Sequence, residues 1–379
     1  MNLHIFISKF VVIFENYFNF PLMRIEQLTF TRFIAAISIV IFHYAKDIPP
    51  FNFDFTSFLF QQANLGVSYF FILSGFVMII AYWQKDKVPF LNFMKKRFAR
   101  IYPVTFLAAV LLLCFKVLEY FFFPANSDLN LNDFLLSISL QQAWIPAKAM
   151  SFNTPAWSIT VEWFFYLCFP FLFNRFYKRP KLWTFSIVTF LIWAFSQFIL
   201  HYLLESSYYT GFPSASHSFI HYFPLLHLNE FLVGNISGIL FLKFLKDKRK
   251  NYDFMILGLL LLAAIILKYN SHLNFHNGLL VVIFLPLILL ISNNNGLLTK
   301  LSNLKGLVFL GEISFGIYIL QKPIFMAVKG VFISLKWDEP ILQFYISLLS
   351  LLLVSAVSFK YFEGPLRKKI SNYSVLKSS

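Results

Sequence analysis

Apolar residues occur along this chain in long runs that are separated by short stretches rich in lysine and arginine. A helix that crosses a lipid bilayer needs about 20 predominantly apolar residues, and the runs, read against their flanking charges, predict about ten such helices. The predicted spans are 26–44, 65–83, 101–123, 156–174, 182–204, 219–242, 253–268, 276–292, 308–328 and 341–361. The pattern therefore predicts an all-α fold, namely a polytopic transmembrane helical bundle.

The positions of the basic residues predict how this bundle is oriented. They cluster in alternate connections and after the last span, at Lys85, Lys87, Lys95, Lys96, Arg97 and Arg100; Arg175, Lys178, Arg179 and Lys181; Lys243, Lys246, Lys248, Arg249 and Lys250; Lys300 and Lys305; and Arg367, Lys368 and Lys369. Cytoplasmic loops of membrane proteins carry an excess of these residues. If the spans alternate, all the clusters lie on one side, so both termini are predicted to be cytoplasmic.

The overall composition excludes several other classes of protein. With 58% hydrophobic residues, 52 phenylalanines and 13% charged residues, the 379-residue chain is too apolar for a soluble globular protein. Its net charge of +15 does not indicate nucleic acid binding, because the basic residues lie between apolar spans. The lipid bilayer is the expected partner. Cys114 and Cys168 fall inside apolar spans and are expected to be packed thiols rather than a disulfide or a pair of metal ligands.

A single membrane domain is expected to occupy most of the chain. Residues 1–22 are apolar and rich in phenylalanine, and form either an interfacial helix or an extension ahead of a true start at Met23. They lack the small-residue cleavage site of a signal peptide. Residues 23–370 are assigned to the membrane domain and 371–379 to a cytoplasmic tail. Residues 134–145 are predicted to be an amphipathic segment on the outer surface.

Arg32 and His43 are the most informative residues of the first span. An arginine near the centre of a membrane helix costs roughly 2.5–3.5 kcal/mol, which favours a functional reason for its presence. Eleven residues of helix advance about 16.5 Å and return to nearly the same direction, so both side chains share one face. Histidine suits general-base chemistry because its ordinary pKa is close to neutral. The alternative is a snorkelling arginine and a histidine satisfied by backbone or water.

Two other charged groups are placed where a reaction can use them. Arg97 and Arg100 are three residues apart at the cytoplasmic start of span three, so a helix puts them on one face, where two guanidiniums can bind phosphates. Glu162 is predicted in the outer half of span four, level with His43, and a carboxylate there must pair, protonate or line a wet cavity. The alternatives are an ordinary cytoplasmic basic cluster and a structural ion pair between Glu162 and Arg32.

Other polar residues give weaker signals. His227 and Glu230, in span six, are expected to line the same cavity. His217 and His221 are four residues apart, but without a third ligand a metal site is not expected. The sequence contains no Gly-rich phosphate loop, nucleophile elbow or metalloprotease motif.

Taken together, these segments resemble the acyltransferase-3 family of integral membrane O-acyltransferases. The resemblance extends from about Met23 to Arg367, and its motifs are loose singly but specific in this order. They are Arg32 with His43, Phe70-Phe71-Ile72-Leu73-Ser74-Gly75-Phe76, Arg97 and Arg100 with Tyr102-Pro103, Trp157-Ser158 with Glu162 and Tyr166, Glu230-Phe231 with Gly234, and Tyr361-Phe362-Glu363-Gly364-Pro365.

The resemblance implies transfer of an acyl group, by default acetyl, from acyl-CoA to a hydroxyl of a cell-envelope or exported carbohydrate such as lipopolysaccharide. It implies that His43 is the catalytic residue, that Arg32 supports it or the donor, and that Glu162 positions the acceptor or handles a proton. It further implies that Arg97 and Arg100 hold the phosphates of acyl-CoA, and no metal is expected. The residues assigned to substrate binding are Trp157, Ser158, Glu230 and Tyr318. The expected partners are a carbohydrate or glycolipid acceptor and glycan-assembly proteins, and the expected location is the inner (cytoplasmic) membrane.

This chain departs from the family pattern in span nine. Members often have a histidine after a Tyr-x-Leu pattern, whereas this chain has Gln321 after Tyr318-Ile319-Leu320. Glutamine can hydrogen-bond but cannot titrate, so no proton-transfer role is assigned to it. Some relatives also carry an extracytoplasmic esterase-like domain, and this chain ends shortly after span ten. Transfer is therefore expected to be completed by the membrane domain or by a partner protein.

Two other functions stay open at this point. A transporter or flippase of glycans or lipid-linked intermediates would suit ten spans and buried charges equally well, although it does not require a phosphate-binding arginine pair. A membrane scaffold would not need residues such as Arg32, Glu162 and Glu230 in the bilayer. For an acyltransferase, His43 acts either as the base that deprotonates the acceptor or as the carrier of a covalent acyl group.

Overall fold

The computed structural model describes residues 25–122, 128–178, 181–269 and 273–373. The predicted N-terminal segment 1–22 and residues 374–379 of the predicted tail lie outside these ranges. Over the described residues the chain forms helices and turns and no β-strand, which confirms the all-α prediction. The helices used below are α1 Gln27–Tyr44, α2 Gly66–Tyr82, α3 Phe90–Phe122, α4 Leu131–Ile138, α5 Trp157–Leu172, α6 Leu182–Glu205, α7 Ala215–Tyr222, α8 Leu228–Leu240, α9 Asp253–Tyr269, α10 Val281–Asn293, α11 Lys305–Ser334, α12 Pro340–Ser358 and α13 Gly364–Asn372.

Eight helical segments of the described chain are long and apolar enough to cross a membrane. They correspond to the predicted spans one to six, nine and ten. The other two predicted spans correspond to α9 and α10, which have 17 and 13 residues. As straight helices these measure about 26 Å and about 20 Å, less than the roughly 30 Å of a hydrocarbon core. The exact number of crossings and the side of the termini stay predictions.

Two predicted segments differ from the observed ones in their bounds. Span three is predicted over 101–123, whereas α3 begins at Phe90 and has 33 residues, because lysine and arginine are good helix formers although they end an apolar run. The amphipathic segment predicted over 134–145 forms α4 and two turns. Its Phe134 and Ile138 pack against a cluster that contains residues of α3, whereas its Leu131 and Leu135 are exposed. Its position on the outer surface stays a prediction.

Helix α11 holds the centre of the bundle. It packs against α1, α3 and α12, and its contact with α1 is among the most extensive between any two helices. Buried side chains of α1, α2, α3, α5 and α11 form one continuous hydrophobic core. Because α1 and α11 lie side by side, polar residues that are far apart in the sequence face each other in the bundle.

Helices α2 and α8 approach so closely that their backbones touch. A Cβ atom added to Gly75 would lie 2.3 Å from the carbonyl oxygen of Phe231, and one added to Gly234 would lie 2.0 Å from the carbonyl oxygen of Ile72. Gly234 and Gly238 form the small-xxx-small spacing that allows membrane helices to pack at short distance. Glycine is required here because no side chain fits between the two backbones.

The variant Gly234→Ala is expected to lower the thermal stability of the protein in detergent. The added methyl group must separate α2 from α8, and overpacking of this kind costs about 1–3 kcal/mol or more. The matched control is Gly258→Ala on α9, where an added Cβ has no atom within 4 Å. The measurement is the midpoint of thermal unfolding of both variants, and equal midpoints would contradict the close contact.

Candidate active site

His43 lies in the last turn of α1 with one ring nitrogen bound and the other free. Its Nδ1 lies 2.7 Å from Oε1 of Gln321 on α11. Gln321 is fully buried, whereas His43 is exposed. Among the described residues, no hydrogen-bond partner lies at Nε2 of His43. An accessible imidazole nitrogen of this kind can accept a proton from a substrate hydroxyl.

The part of α11 that carries Gln321 is fixed by a proline two residues further on. Because Pro323 has no backbone N–H, the carbonyl of Ile319 loses its partner within the helix. Nδ2 of Asn153 donates a hydrogen bond to that carbonyl at 3.2 Å. The segment that precedes α5 is thereby attached to α11 next to Gln321.

Ser158 and Tyr318 form a second link between α5 and α11. Their hydroxyl oxygens are 2.7 Å apart, and each oxygen also lies 3.0 Å from the carbonyl oxygen of Pro155, so one hydroxyl donates to the other, which donates to the carbonyl. Both side chains are buried. The sequence assigned these two residues to substrate binding, and the structure shows their hydroxyl groups bonded to each other and to the backbone.

A polar stripe runs along one face of α5. Ser158, Glu162 and Tyr166 are spaced by four residues, so they lie above one another over about 12 Å of helix. The hydroxyl of Tyr166 donates a short hydrogen bond to Oε1 of Glu162, and Oγ of Ser74 on α2 donates to the same oxygen at 3.5 Å. The hydroxyl groups that donate to Glu162 therefore come from α2 and from the next turn of α5. The imidazole of His43 bonds to Gln321 instead.

Arg97 lies at the far end of this stripe, inside a cage of aromatic rings. Its guanidinium carbon is 5.1 Å from the ring centre of Phe93 and 5.5 Å from those of Tyr82 and Tyr166. Cation–π contacts of this kind stabilise a desolvated guanidinium. Its buried Nε has no hydrogen-bond partner in the described part of the chain. A buried guanidinium with an unused donor is suited to binding an anion from outside the protein.

The two arginines of the predicted phosphate clamp lie on one helix, as the prediction of a common face assumed. Arg100 follows Arg97 by three residues on α3 and is likewise half-buried. The charges of both act on the phenol of Tyr166. The structure therefore brings both arginines to the Tyr166 end of the polar stripe.

Arg32 lies well away from His43 along α1. It is half-buried, and its charge acts on Tyr69 of α2. The neighbouring Thr31 hydroxyl lies 2.5 Å from the hydroxyl of the same tyrosine. Arg32 and His43 are therefore at different levels of one helix, as their spacing predicts.

Glu230 forms a buried pair with His227 at the start of α8. Oε2 of Glu230 lies 2.7 Å from Nδ1 of His227, and Nε2 of His227 donates to the carbonyl of His221 at 2.9 Å. The rings of Phe71 and Trp157 pack against the imidazole at 5.1 Å and 5.3 Å. Glu230 is fully buried, and the ring of Trp157 packs against its partner His227.

His217 and His221 stack on each other, with ring centres 4.1 Å apart. The ring of His276, from the turn before α10, lies 5.0 Å from that of His221, and burial lowers the pKa of His276 well below its ordinary value. Within the part of the chain that the structure describes, no group of three or more His, Cys, Asp or Glu residues is arranged to hold a metal ion.

Some residues of the site were missed by the sequence interpretation. Gln321 was noted as a residue that can hydrogen-bond but cannot titrate and was given no role, and Tyr82, Phe93 and Ser74 were not assigned to a site. The spacing of Ser158, Glu162 and Tyr166 was a usable signal for the polar stripe. The aromatic cage had no comparable signal, because 20% of the residues are aromatic.

Comparisons with known proteins find similarity to acyltransferases. A family profile described as an acyltransferase domain matches residues 25–360. The chain is 26% identical over 366 residues to the O-acetyltransferase OatA of Staphylococcus aureus, an alignment that covers 89% of this chain and 56% of that protein. It is 24% identical over 373 residues to the peptidoglycan O-acetyltransferase OatA of Listeria monocytogenes, with 89% and 55% covered.

A third relative matches a shorter part of the chain. The acyltransferase MdmB of Streptomyces mycarofaciens is 35% identical over 172 residues, which is 42% of this chain and 43% of that protein. The chain spans about half the length of the curated relatives it matches. No solved structure matches it.

Proposed function

Since the chain belongs to the acyltransferase-3 family of multi-pass membrane proteins, we propose that it transfers an acetyl group from acetyl-CoA to a hydroxyl of a cell-envelope carbohydrate. The relatives named O-acetyltransferases support acetyl as the group and an envelope polysaccharide as the class of acceptor. The family supports an acyl donor, and the two arginines on α3 support a donor that carries phosphates.

The observation that carries the proposal is the accessible Nε2 of His43, which has no partner among the described residues. In the proposed reaction this nitrogen takes the proton of the acceptor hydroxyl while the hydroxyl oxygen attacks the thioester carbonyl carbon. The new C–O bond forms and the C–S bond breaks. The proton then passes from the imidazolium to the thiolate sulfur, which leaves as free CoA and returns His43 to its neutral form.

The donor is proposed to bind at the Arg97 end of the polar stripe. CoA carries several phosphate charges, and a guanidinium with an unused donor in a low-dielectric environment is a strong phosphate ligand. Tyr166, Glu162 and Ser158 then line the route from Arg97 toward the helices that carry His43. Glu162 balances the positive charge of Arg97 through the Tyr166 hydroxyl, and Arg32 supports the donor from α1.

The relatives and the predicted topology support a proposal for the side from which the acceptor approaches, the membrane that holds the protein and its partners. With cytoplasmic termini, α3 begins at the cytoplasmic face and α1 ends at the opposite face, so CoA and an envelope glycan approach from different sides. The proposed location is the inner (cytoplasmic) membrane, with glycan-assembly proteins as further partners. A second protein or a further domain is the proposed route for passing the acetyl group to a distant glycan.

The experiment that tests this function uses the purified protein in proteoliposomes with acetyl-CoA labelled in the acetyl group. Transfer of label to envelope glycan, with release of free CoA, is expected. In cells, mass spectrometry of envelope glycans is expected to show O-acetyl groups that disappear when the gene is deleted. A glycan that stays acetylated after deletion, together with no CoA release by the protein, would contradict the proposal and favour a transporter.

A further inference from the structure

We propose that Gln321 is a positioning residue that holds His43 in the tautomer whose Nε2 carries the lone pair. This inference rests on the proposed function, in which that lone pair takes the proton of the acceptor. It goes beyond that function by assigning a duty to the residue where this chain departs from the family pattern.

The orientation of the Gln321 side chain is determined by its own helix. One end of its amide lies 2.6 Å from the backbone carbonyl oxygen of Tyr318. A carbonyl oxygen only accepts hydrogen bonds, so the amide atom at that end is the nitrogen. The atom that faces α1 is therefore the amide oxygen, whatever the state of His43.

The tautomer of His43 follows from that orientation. The Gln321 oxygen also only accepts, so Nδ1 of His43, 2.7 Å away, must carry a hydrogen. A neutral imidazole has one protonated nitrogen, which leaves the lone pair on Nε2. Because Gln321 is fully buried, water does not compete for its oxygen, and the orientation is determined by protein groups.

The surroundings of Gln321 make its position rigid. Tyr318, one turn before it, bonds to Ser158 of α5, and Ile319 is bonded by Asn153. The carbonyl that orients Gln321 thus belongs to a stretch of α11 that is attached to α5 and to the segment before α5. A glutamine amide does not titrate, so its oxygen accepts from Nδ1 across the working pH range.

The test removes the glutamine and then restores the tautomer by chemical means. The variant Gln321→Ala is expected to lower the rate of acetyl transfer by about 10- to 100-fold, the usual effect of losing a residue that orients a histidine. In the same variant, replacing His43 with Nδ1-methylhistidine blocks Nδ1 permanently and leaves the lone pair on Nε2. The methyl group fits the space left by the glutamine, and most of the lost rate is expected to return.

The outcomes separate a positioning role from a structural one. If Gln321 only stabilised the bundle, methylation of Nδ1 would not restore the rate, and that result would overturn the inference. A Gln321→Ala protein with an unchanged rate would overturn it equally. The variant His43→Ala separates a failure of this inference from a failure of the proposed function. If His43→Ala keeps full transfer, His43 is not the base and the proposed function is wrong as well. If His43→Ala is inactive and methylation gives no rescue, only the role of Gln321 is wrong.

Discussion

Replacing His43 with alanine is expected to lower the rate of acetyl transfer by about 10²- to 10⁴-fold, the range that a positioned general base contributes. Alanine offers no atom that can take the proton of the acceptor hydroxyl. The exposed position of His43 means that its removal leaves no buried cavity, but the buried oxygen of Gln321 loses its donor, so the protein is expected to be destabilised by about 1–3 kcal/mol. The measurement is the initial rate of label transfer from acetyl-CoA to glycan in proteoliposomes that hold equal amounts of protein.

The matched control is His201→Ala. His201 lies on α6, and its Nδ1 bonds to the carbonyl of Gln197 on the same helix at 2.9 Å. That variant is expected to keep the wild-type rate and to unfold at the wild-type temperature. Retention of transfer by the His43→Ala protein would remove His43 from the mechanism, because no other imidazole among the described residues contacts α11 at this point.

Replacing Arg97 with methionine is expected to raise the KM for acetyl-CoA by about 10- to 150-fold, which corresponds to losing one hydrogen bond to a charged group of ~1.5–3 kcal/mol. Methionine keeps the length of the side chain and lets the rings of Tyr82, Phe93 and Tyr166 close on an apolar group. The turnover number at saturating donor is expected to change much less than KM, since Arg97 binds the donor and does not touch the transferred proton. Steady-state kinetics and direct binding of CoA provide the measurement.

Two further variants serve as a control and as an intermediate case for this prediction. Lys96→Met removes a neighbouring positive charge at an exposed position of α3, and because exposed charges are screened, its effect on KM is expected to be small. Arg97→Lys keeps the charge but loses the planar group that stacks on aromatic rings, so an intermediate KM is expected. An unchanged KM in Arg97→Met, together with a lower unfolding temperature, would mean that Arg97 only joins α2, α3 and α5.

The polar residues of α5 show how much of the site can be predicted from helical periodicity alone. The spacing of Ser158, Glu162 and Tyr166 places three polar groups on one face of a helix, and the structure has them there. The depth of Glu162 in the membrane, which was predicted to be level with His43, stays a prediction. The hydrogen-bond donors to its carboxylate are Ser74 of α2 and Tyr166, whose ring also packs against Arg97.

Helix boundaries show a similar limit. Span six is predicted over 219–242, whereas the structure has α7, a turn at Pro224–His227 and then α8. The hydropathy of this stretch is continuous, and only the missing N–H of Pro224 interrupts the helix. The interruption matters, because it turns His227 back toward Glu230.

The amino-acid sequence by itself determined the class of fold, the common face of Arg32 and His43, and the family. These depend on composition and on spacing within one helix, which follow from local geometry and from the cost of exposing polar groups to lipid. The tertiary structure alone decided which groups meet. Gln321 lies 278 residues from His43 along the chain, and the rings around Arg97 come from three helices, so these contacts depend on how α1, α2, α3, α5 and α11 pack, which no local pattern encodes.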